Sequence, residues 1–295
     1  EGEMRTDANP EEWNIILWVN GITTGLSLIG ELFMIISYFL IPSIRRFSMK
    51  LVISLTFSDL GYAIANILTY FNDNETVCVI EGSFRTSSIL LGLGWSIIIM
   101  NVSYRQIKNH DPEISKTYNS NLVTTLILAN IPTVIGLVGH YIGFGPYFGN
   151  PFGICCLSPE ISDLIMLQSP MWICVAIDFY YAFKVINELK MKYMSKHVIE
   201  YKSILIYPMV LVFGWLPVTV NRIVTGIRGS TYFPMLLTHV AAARIQGFLN
   251  ALIYGKSEFQ RIRRHFSSKH NQIHKGSIDA IAKEVYPQTQ NFTSV

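Results

Sequence analysis

Seven stretches of roughly 20 or more mostly apolar residues, divided by short polar segments, constrain this chain more than any other feature. They lie at Asn14–Leu40, Lys50–Phe71, Val79–Tyr104, Asn121–Ile142, Asp163–Ile186, Ser203–Gly226 and Tyr232–Gly255. A bilayer core about 30 Å thick takes roughly 20 apolar residues per helix, and inside it every backbone polar group must find its partner within the protein. The expectation is an all-α membrane protein, a seven-transmembrane helix bundle. The spans leave a short N-terminus (residues 1–13), a bundle (14–255) and a tail (256–295), with no room for a second folded domain. Composition agrees. Only 15% of residues are charged and the mean hydropathy is +0.34, against about 25% charged in soluble domains. Four cysteines among 295 residues make no disulfide scaffold, and a net charge of +3 gives no reason to expect nucleic acid as a partner.

The position of the charges is more informative than their sum. Of 23 Lys and Arg, 18 fall in the segments after spans 1, 3, 5 and 7, and only Arg5 and Arg228 fall on the opposite side. Because Lys and Arg are retained on the cytoplasmic side in short loops, the N-terminus is expected outside and the tail inside. The first dozen residues are acidic, the reverse of a signal peptide, and span 1 is longer than a signal h-region, so it reads as a true anchor.

Cys78 stands at the outer mouth of span 3, and Cys155 and Cys156 stand in the longest outer loop. In an oxidising compartment, a bridge from Cys78 to either Cys155 or Cys156 would tie that loop over the bundle. Asn74-Glu75-Thr76 is a glycosylation sequon on the same side, whereas those at Asn101 and Asn291 face membrane or cytoplasm. After Gly255, Ser257-Glu258-Phe259-Gln260 resembles a capping box, and Phe259, Ile262 and Phe266 recur at helical spacing between arginines. A short amphipathic helix lying on the inner leaflet is expected there.

Ionisable side chains inside a bilayer default to paired or functional interior positions. A deeper layer comprises Glu31, Asp59 and Asn250; helical depth lets Glu31 and Asp59 be neighbours, in which case either one carboxyl keeps its proton or a cation, sodium or the guanidinium of Arg244, sits between them. An outer layer comprises Arg85, Arg222 and, deeper, Arg244. Three guanidiniums opening outward suggest a cavity for a small anion such as a phosphate or carboxylate. Against this, Arg85 can pair with Glu81 one turn away, and Arg244 with Asp59 or Glu31. Span 6 carries Pro208 and Pro217 around Trp215. Proline kinks a helix, so this span is the expected moving element.

The run Lys50-Leu51-Val52 through Leu55-Thr56-Phe57-Ser58-Asp59-Leu60, together with span 1, resembles the first helices of G-protein-coupled receptors. Tyr207-Pro208, Trp215, Pro217, Asn221-Arg222-Ile223 and Gln246-Gly247-Phe248-Leu249-Asn250-Ala251-Leu252-Ile253-Tyr254-Gly255 resemble the cyclic AMP receptor family of slime moulds and its cAMP-receptor-like relatives, kin to the secretin-like class. The resemblance covers the seven-helix region. It implies a plasma-membrane receptor that couples an extracellular small-molecule ligand, cAMP in the best-known members, to heterotrimeric G proteins, with no cofactor. Asn250 and Tyr254 match the Asn and Tyr of the Asn-Pro-x-x-Tyr switch of rhodopsin-like receptors, with Ala251 in the place of proline. The inner end of span 3, Asn101-Val102-Ser103-Tyr104-Arg105, lacks the acidic residue before arginine that those receptors carry.

Other seven-span readings fare worse. Span 7 has no lysine for a retinal Schiff base, and His239 stands alone where a zinc hydrolase would need several ligands. A multi-pass transporter of a small anion is the alternative, but no internal repeat of the kind transporters show is visible.

Overall fold

The computed structural model describes residues 9–71, 74–109, 116–143, 147–149, 155–158, 160–192, 198–228 and 232–255, together with 145 and 230. Helix α1 covers Pro10–Leu40, α2 Phe47–Leu68, α3 Glu75–Asn109 and α4 Tyr118–Ile142. Strands β1 (Tyr147–Gly149) and β2 (Cys156–Ser158) follow, then α5 (Glu160–Asp163), a π-helical turn (Leu164–Gln168), α6 (Ser169–Lys192), α7 (Val198–Arg228) and α8 (Phe233–Arg244). Beyond Arg244 the chain passes a single turn residue, Ile245, and is helical again over residues 246–255. Seven of these segments are long and apolar enough to cross a membrane. The expected amphipathic helix and tail lie outside the described residues.

The helices are apolar toward the outside, and their buried polar side chains lie between them among apolar ones. On α1 the buried stripe holds Asn20, Thr23, Thr24, Ser27 and Glu31, whereas Trp18, Ile22, Ile29, Phe33 and Phe39 face outward. A water-soluble helix has the opposite arrangement. In hydrocarbon there is no drive to hide apolar side chains, so small and polar residues make the contacts between helices.

Local chemistry sets the helix ends. The Asn9 side chain accepts the Glu12 N–H at 2.8 Å while Glu12 accepts the Asn9 N–H at 2.9 Å, and Pro10 occupies the first turn. This capping box starts α1 four residues before the apolar run. At the other end Arg45 donates to the carbonyls of Tyr38 (3.1 Å) and Phe39, both left open by the end of the helix. Gly143, in the left-handed region at φ 72°, closes α4.

Helices α1, α2, α3, α6, α7 and α8 form a closed ring, and α4 packs outside it against α3. The approach of α1 to the 246–255 helix is tight: a Cβ on Gly30 would stand 2.8 Å from the Ala251 Cβ and 3.3 Å from the Phe248 Cα. Gly30→Ala is therefore expected to cost about 1–3 kcal/mol of stability through overpacking. Gly25→Ala, whose Cβ meets nothing within 4 Å, is expected to be neutral or stabilising. Thermal unfolding of the two purified variants checks this, and equal melting points would exclude a tight contact at Gly30.

Strands β1 and β2 pair antiparallel, with Phe148 opposite Leu157 and Gly149 opposite Cys156. The hairpin packs onto α3 and α4 through Phe148 and Leu157, which cluster with Val79. Gly82 and Gly136 make room for it: a Cβ at Gly136 would come within 2.7 Å of Leu157 and 3.0 Å of Phe148. The hairpin is fixed by a disulfide between Cys78 and Cys155, with Cα atoms 5.2 Å apart. Cys156 remains a buried thiol.

Candidate functional site

Two small polar cavities lie one below the other inside the ring, and Trp215 and Tyr62 contribute to both. The cavity nearer the disulfide has a volume of about 40 Å³. All three arginines singled out from the sequence, Arg85 from α3, Arg222 from α7 and Arg244 from α8, line it, together with Cys156, Asp163 and His239. Cys156 brings the hairpin to this cavity.

The arginines differ in how firmly they are held. Arg85 forms a buried ion pair with Glu81 and donates to Asn66 Oδ1 at 2.8 Å and Thr69 Oγ1 at 3.1 Å. Thr69 in turn donates to Glu81 at 2.8 Å. Arg244 donates to Asn20 Oδ1 and, at 3.2 Å, to the Tyr62 hydroxyl. The centre of the Tyr62 ring is 5.8 Å from the guanidinium of Arg85 and 5.9 Å from that of Arg244, within cation–π reach of both. Arg222 contacts Asp163 at 3.7 Å and donates to the Cys156 sulfur at 3.5 Å. Burial pushes the Cys156 thiol up from its ordinary range, so Arg222 faces a neutral sulfur, a weak acceptor. Arg85 is thus bound into a network with Glu81, Asn66 and Thr69, whereas Arg222 joins α7 to Asp163 and the hairpin sulfur. One Arg244 nitrogen and Asp163 Oδ1 are buried without a hydrogen-bond partner.

The deeper cavity, about 20 Å³, is lined by Glu31, Asp59, Arg244 and Gln246 among others. That volume suits a single water molecule. Glu31 and Asp59 do share a cavity, but the expected pairing of Arg244 with either carboxylate is not formed among the described residues. Arg244 is turned toward Asn20 and Tyr62, one acceptor on α1 and one on α2, which take its Nε and Nη1 donors. Asn250 donates to Asp59 Oδ2 at 2.9 Å. Glu31 packs its Oε1 against Gly247, where any side chain would collide with it, and its Oε2 has no hydrogen-bond partner.

Around Pro217 the helix is held by a polar knot. The Thr219 hydroxyl accepts from Trp172 Nε1 at 3.0 Å and lies 3.0 Å from Gln168 Oε1 and 3.1 Å from the Trp215 carbonyl, one of which takes its proton. Gln168 reaches it from the π-helical turn, a feature frequent at functional sites. Trp215 is buried, 6.2 Å from the Tyr62 ring, and its Nε1 is without a hydrogen-bond partner. Pro208 lies in α7 among residues whose side chains are outside the description, and Tyr254 is in the last turn of the 246–255 helix. The sequon residue Asn74 is exposed at the start of α3, where its side chain accepts the Thr76 N–H at 2.9 Å.

Several residues of this interior were not singled out from the sequence. Asp178, fully buried on α6, accepts from Ser96; a carboxylate in the middle of an apolar run was a visible signal. Asn20, Asn66, Tyr62 and Thr69 are uncharged, and nothing in the sequence alone marks them as partners of Arg85 and Arg244.

This fold and interior define a multi-pass, seven-helix membrane protein whose polar contacts converge on a disulfide-capped end. No family model matches the chain. It is 23% identical over 260 residues to G-protein coupled receptor 1 of Arabidopsis thaliana, covering 82% of this chain and 78% of that protein. It is 24% identical over 243 residues to cyclic AMP receptor-like protein A of Dictyostelium discoideum, covering 79% of this chain but only 62% of that protein's length. The similarity is thus a distant one, to two proteins named as receptor or receptor-like.

Proposed function

We propose that the protein is a plasma-membrane receptor, N-terminus outside, that passes the binding of a small extracellular anion, cAMP-like in chemistry, to heterotrimeric G proteins. The observation that carries the reading is the convergence of Arg85, Arg222 and Arg244, from three different helices, on one cavity beneath the disulfide-bound hairpin. The relatives' names, one a G-protein coupled receptor and the other cyclic AMP receptor-like, favour the same reading.

The cavity's 40 Å³ is far below the roughly 300 Å³ or more of a typical ligand pocket. Ligand entry therefore moves the walls. Arg222 is the side chain best placed to respond, because an anion that takes its guanidinium competes with the Asp163 carboxylate and the Cys156 sulfur. Exchanging those partners draws on α7 three residues beyond Thr219 and five beyond Pro217. The ligand shifts the equilibrium by as much as it prefers the rearranged state. Trp215, Pro217 and Pro208 are the switch elements on this helix, and Glu31, Asp59, Asn250 and Tyr254 those nearer the opposite end.

A G-protein activation screen over cyclic nucleotides, nucleotides, folates and small carboxylates identifies the agonist. With it, Arg222→Ala is expected to lower potency about 10- to 150-fold, the equivalent of one lost hydrogen bond between charged groups at about 1.5–3 kcal/mol, while surface expression persists. An unchanged dose response would remove the anion-pocket reading.

A further inference from the structure

A far larger cavity lies outside the ring. It is a groove of about 770 Å³ on the outer side of the bundle, between α2, α3 and α4. Its walls include Phe57, Phe84 and Leu126, exposed by 51%, 48% and 42%. In a membrane these side chains face lipid. The groove follows α4 from Tyr118 to Thr133, about 22 Å at 1.5 Å per residue. This exceeds the roughly 15 Å depth of one leaflet's hydrocarbon, half of a core about 30 Å thick.

The two ends of the groove differ. At the Thr133 end Ser87 bonds to Asn130 at 2.8 Å and to Thr133 at 2.8 Å, and the neighbouring Ser83 hydroxyl is buried without a hydrogen-bond partner. At the Tyr118 end stands Lys50, its ammonium 3.8 Å from the centre of the Tyr118 ring, which is itself stacked on Trp95 at 5.7 Å. Arg46, exposed, lies one turn before Lys50, and Arg45 holds the carbonyls of Tyr38 and Phe39, both lining the same mouth. Among the described residues no carboxylate pairs with Lys50, Arg45 or Arg46. The result is an apolar channel longer than one leaflet is deep, open sideways to acyl chains, with three cations that no described carboxylate neutralises where lipid headgroups lie. A sterol would fill the channel but has no charge for the rim.

We propose that this groove is a binding site for an anionic glycerophospholipid, its phosphate held by Lys50 and the neighbouring arginines and one acyl chain laid along Phe57, Phe84 and Leu126. The aromatic platform under Lys50 fixes the ammonium at the mouth, so a phosphate finds its partner preorganised. Basic residues at a membrane surface contribute about 1 kcal/mol each toward anionic lipid, so removing one lowers affinity about fivefold.

The full-length protein, purified in detergent and titrated with phosphatidylglycerol or phosphatidylcholine, tests this by native mass spectrometry together with the thermal unfolding midpoint. One phosphatidylglycerol is expected to remain bound preferentially and to raise the midpoint. Lys50→Gln should weaken that binding about fivefold, and Leu126→Trp, which fills the groove from its lipid face without changing charge, should also reduce it. Phosphatidylglycerol retention unchanged in both variants, or retention no greater than that of phosphatidylcholine, would overturn the proposal. So would competition by cholesterol at the Leu126 position with no effect of Lys50→Gln.

Discussion

A Cys78→Ser variant is expected to lose more stability than almost any other single change outside the buried ion pairs. The Cys78–Cys155 bridge closes a loop with a sequence separation of 77, for which the chain-entropy relation gives about 4.5 kcal/mol. The bridge also anchors the hairpin whose Phe148 and Leu157 fit against Gly82 and Gly136, so its loss frees the roof of the arginine cavity. Cys155→Ser should match Cys78→Ser in thermal unfolding, whereas Cys156→Ser, which swaps one small buried group for another that can still accept from Arg222, should cost only about 1 kcal/mol. Equal losses in the Cys155 and Cys156 variants would contradict the pairing. In the signalling assay, Cys78→Ser should lower agonist potency even at a temperature where the protein remains folded.

Glu81→Ala is the second large effect. It leaves the Arg85 guanidinium, in a side chain only 7% exposed, without its counter-charge, and leaves the Thr69 hydroxyl only the more distant Ala65 carbonyl, at 3.5 Å, as acceptor. Breaking a buried pair in this way costs about 3–5 kcal/mol. Replacing both partners, Glu81→Leu with Arg85→Met, should recover most of that loss, because neither charge is then stranded. Folded yield and melting temperature of the single and double variants are the measurements. A neutral Glu81→Ala would mean that Arg85 is hydrated and available to an anion after all. The distinction matters for the receptor reading, since it separates Arg85, which builds the wall, from Arg222, which is placed to act.

The bundle was legible in the sequence because a bilayer leaves a chain few options. Long apolar runs must be helices, and their number gave the architecture. Their ends were less legible. Helix α1 starts at Pro10 because Asn9 and Glu12 cap each other, a signature present in the sequence but overshadowed by the hydropathy of the long apolar run from Asn14 onward. The π-helical turn at Leu164–Gln168 and the notch for Phe148 arise from tertiary packing and leave no local pattern. For the site, the charged members stood out because charge is costly in hydrocarbon, and three arginines from separate spans do meet. Their partners did not stand out. Asn20 serves Arg244 across 224 residues of sequence, and an asparagine in an apolar helix gains its meaning only from what folds against it. The expected pairing of Arg244 with the deeper carboxylates fails for the same reason: helical depth alone could not show that better-placed acceptors lie on α1 and α2.

The polar inner stripe of α1 also bears on how the protein is made. Asn20 and Ser27 bond to Arg244 and Phe248, and Gly30 closes on Ala251, so the first helix to be synthesised completes its contacts with the last. Until span 7 emerges, that stripe must face lipid, the insertion machinery or a provisional neighbour. Any chain broken off before residue 233 keeps it exposed, and a cell that inspects membrane helices for uncovered polar groups thereby has a way to tell finished copies of this protein from unfinished ones.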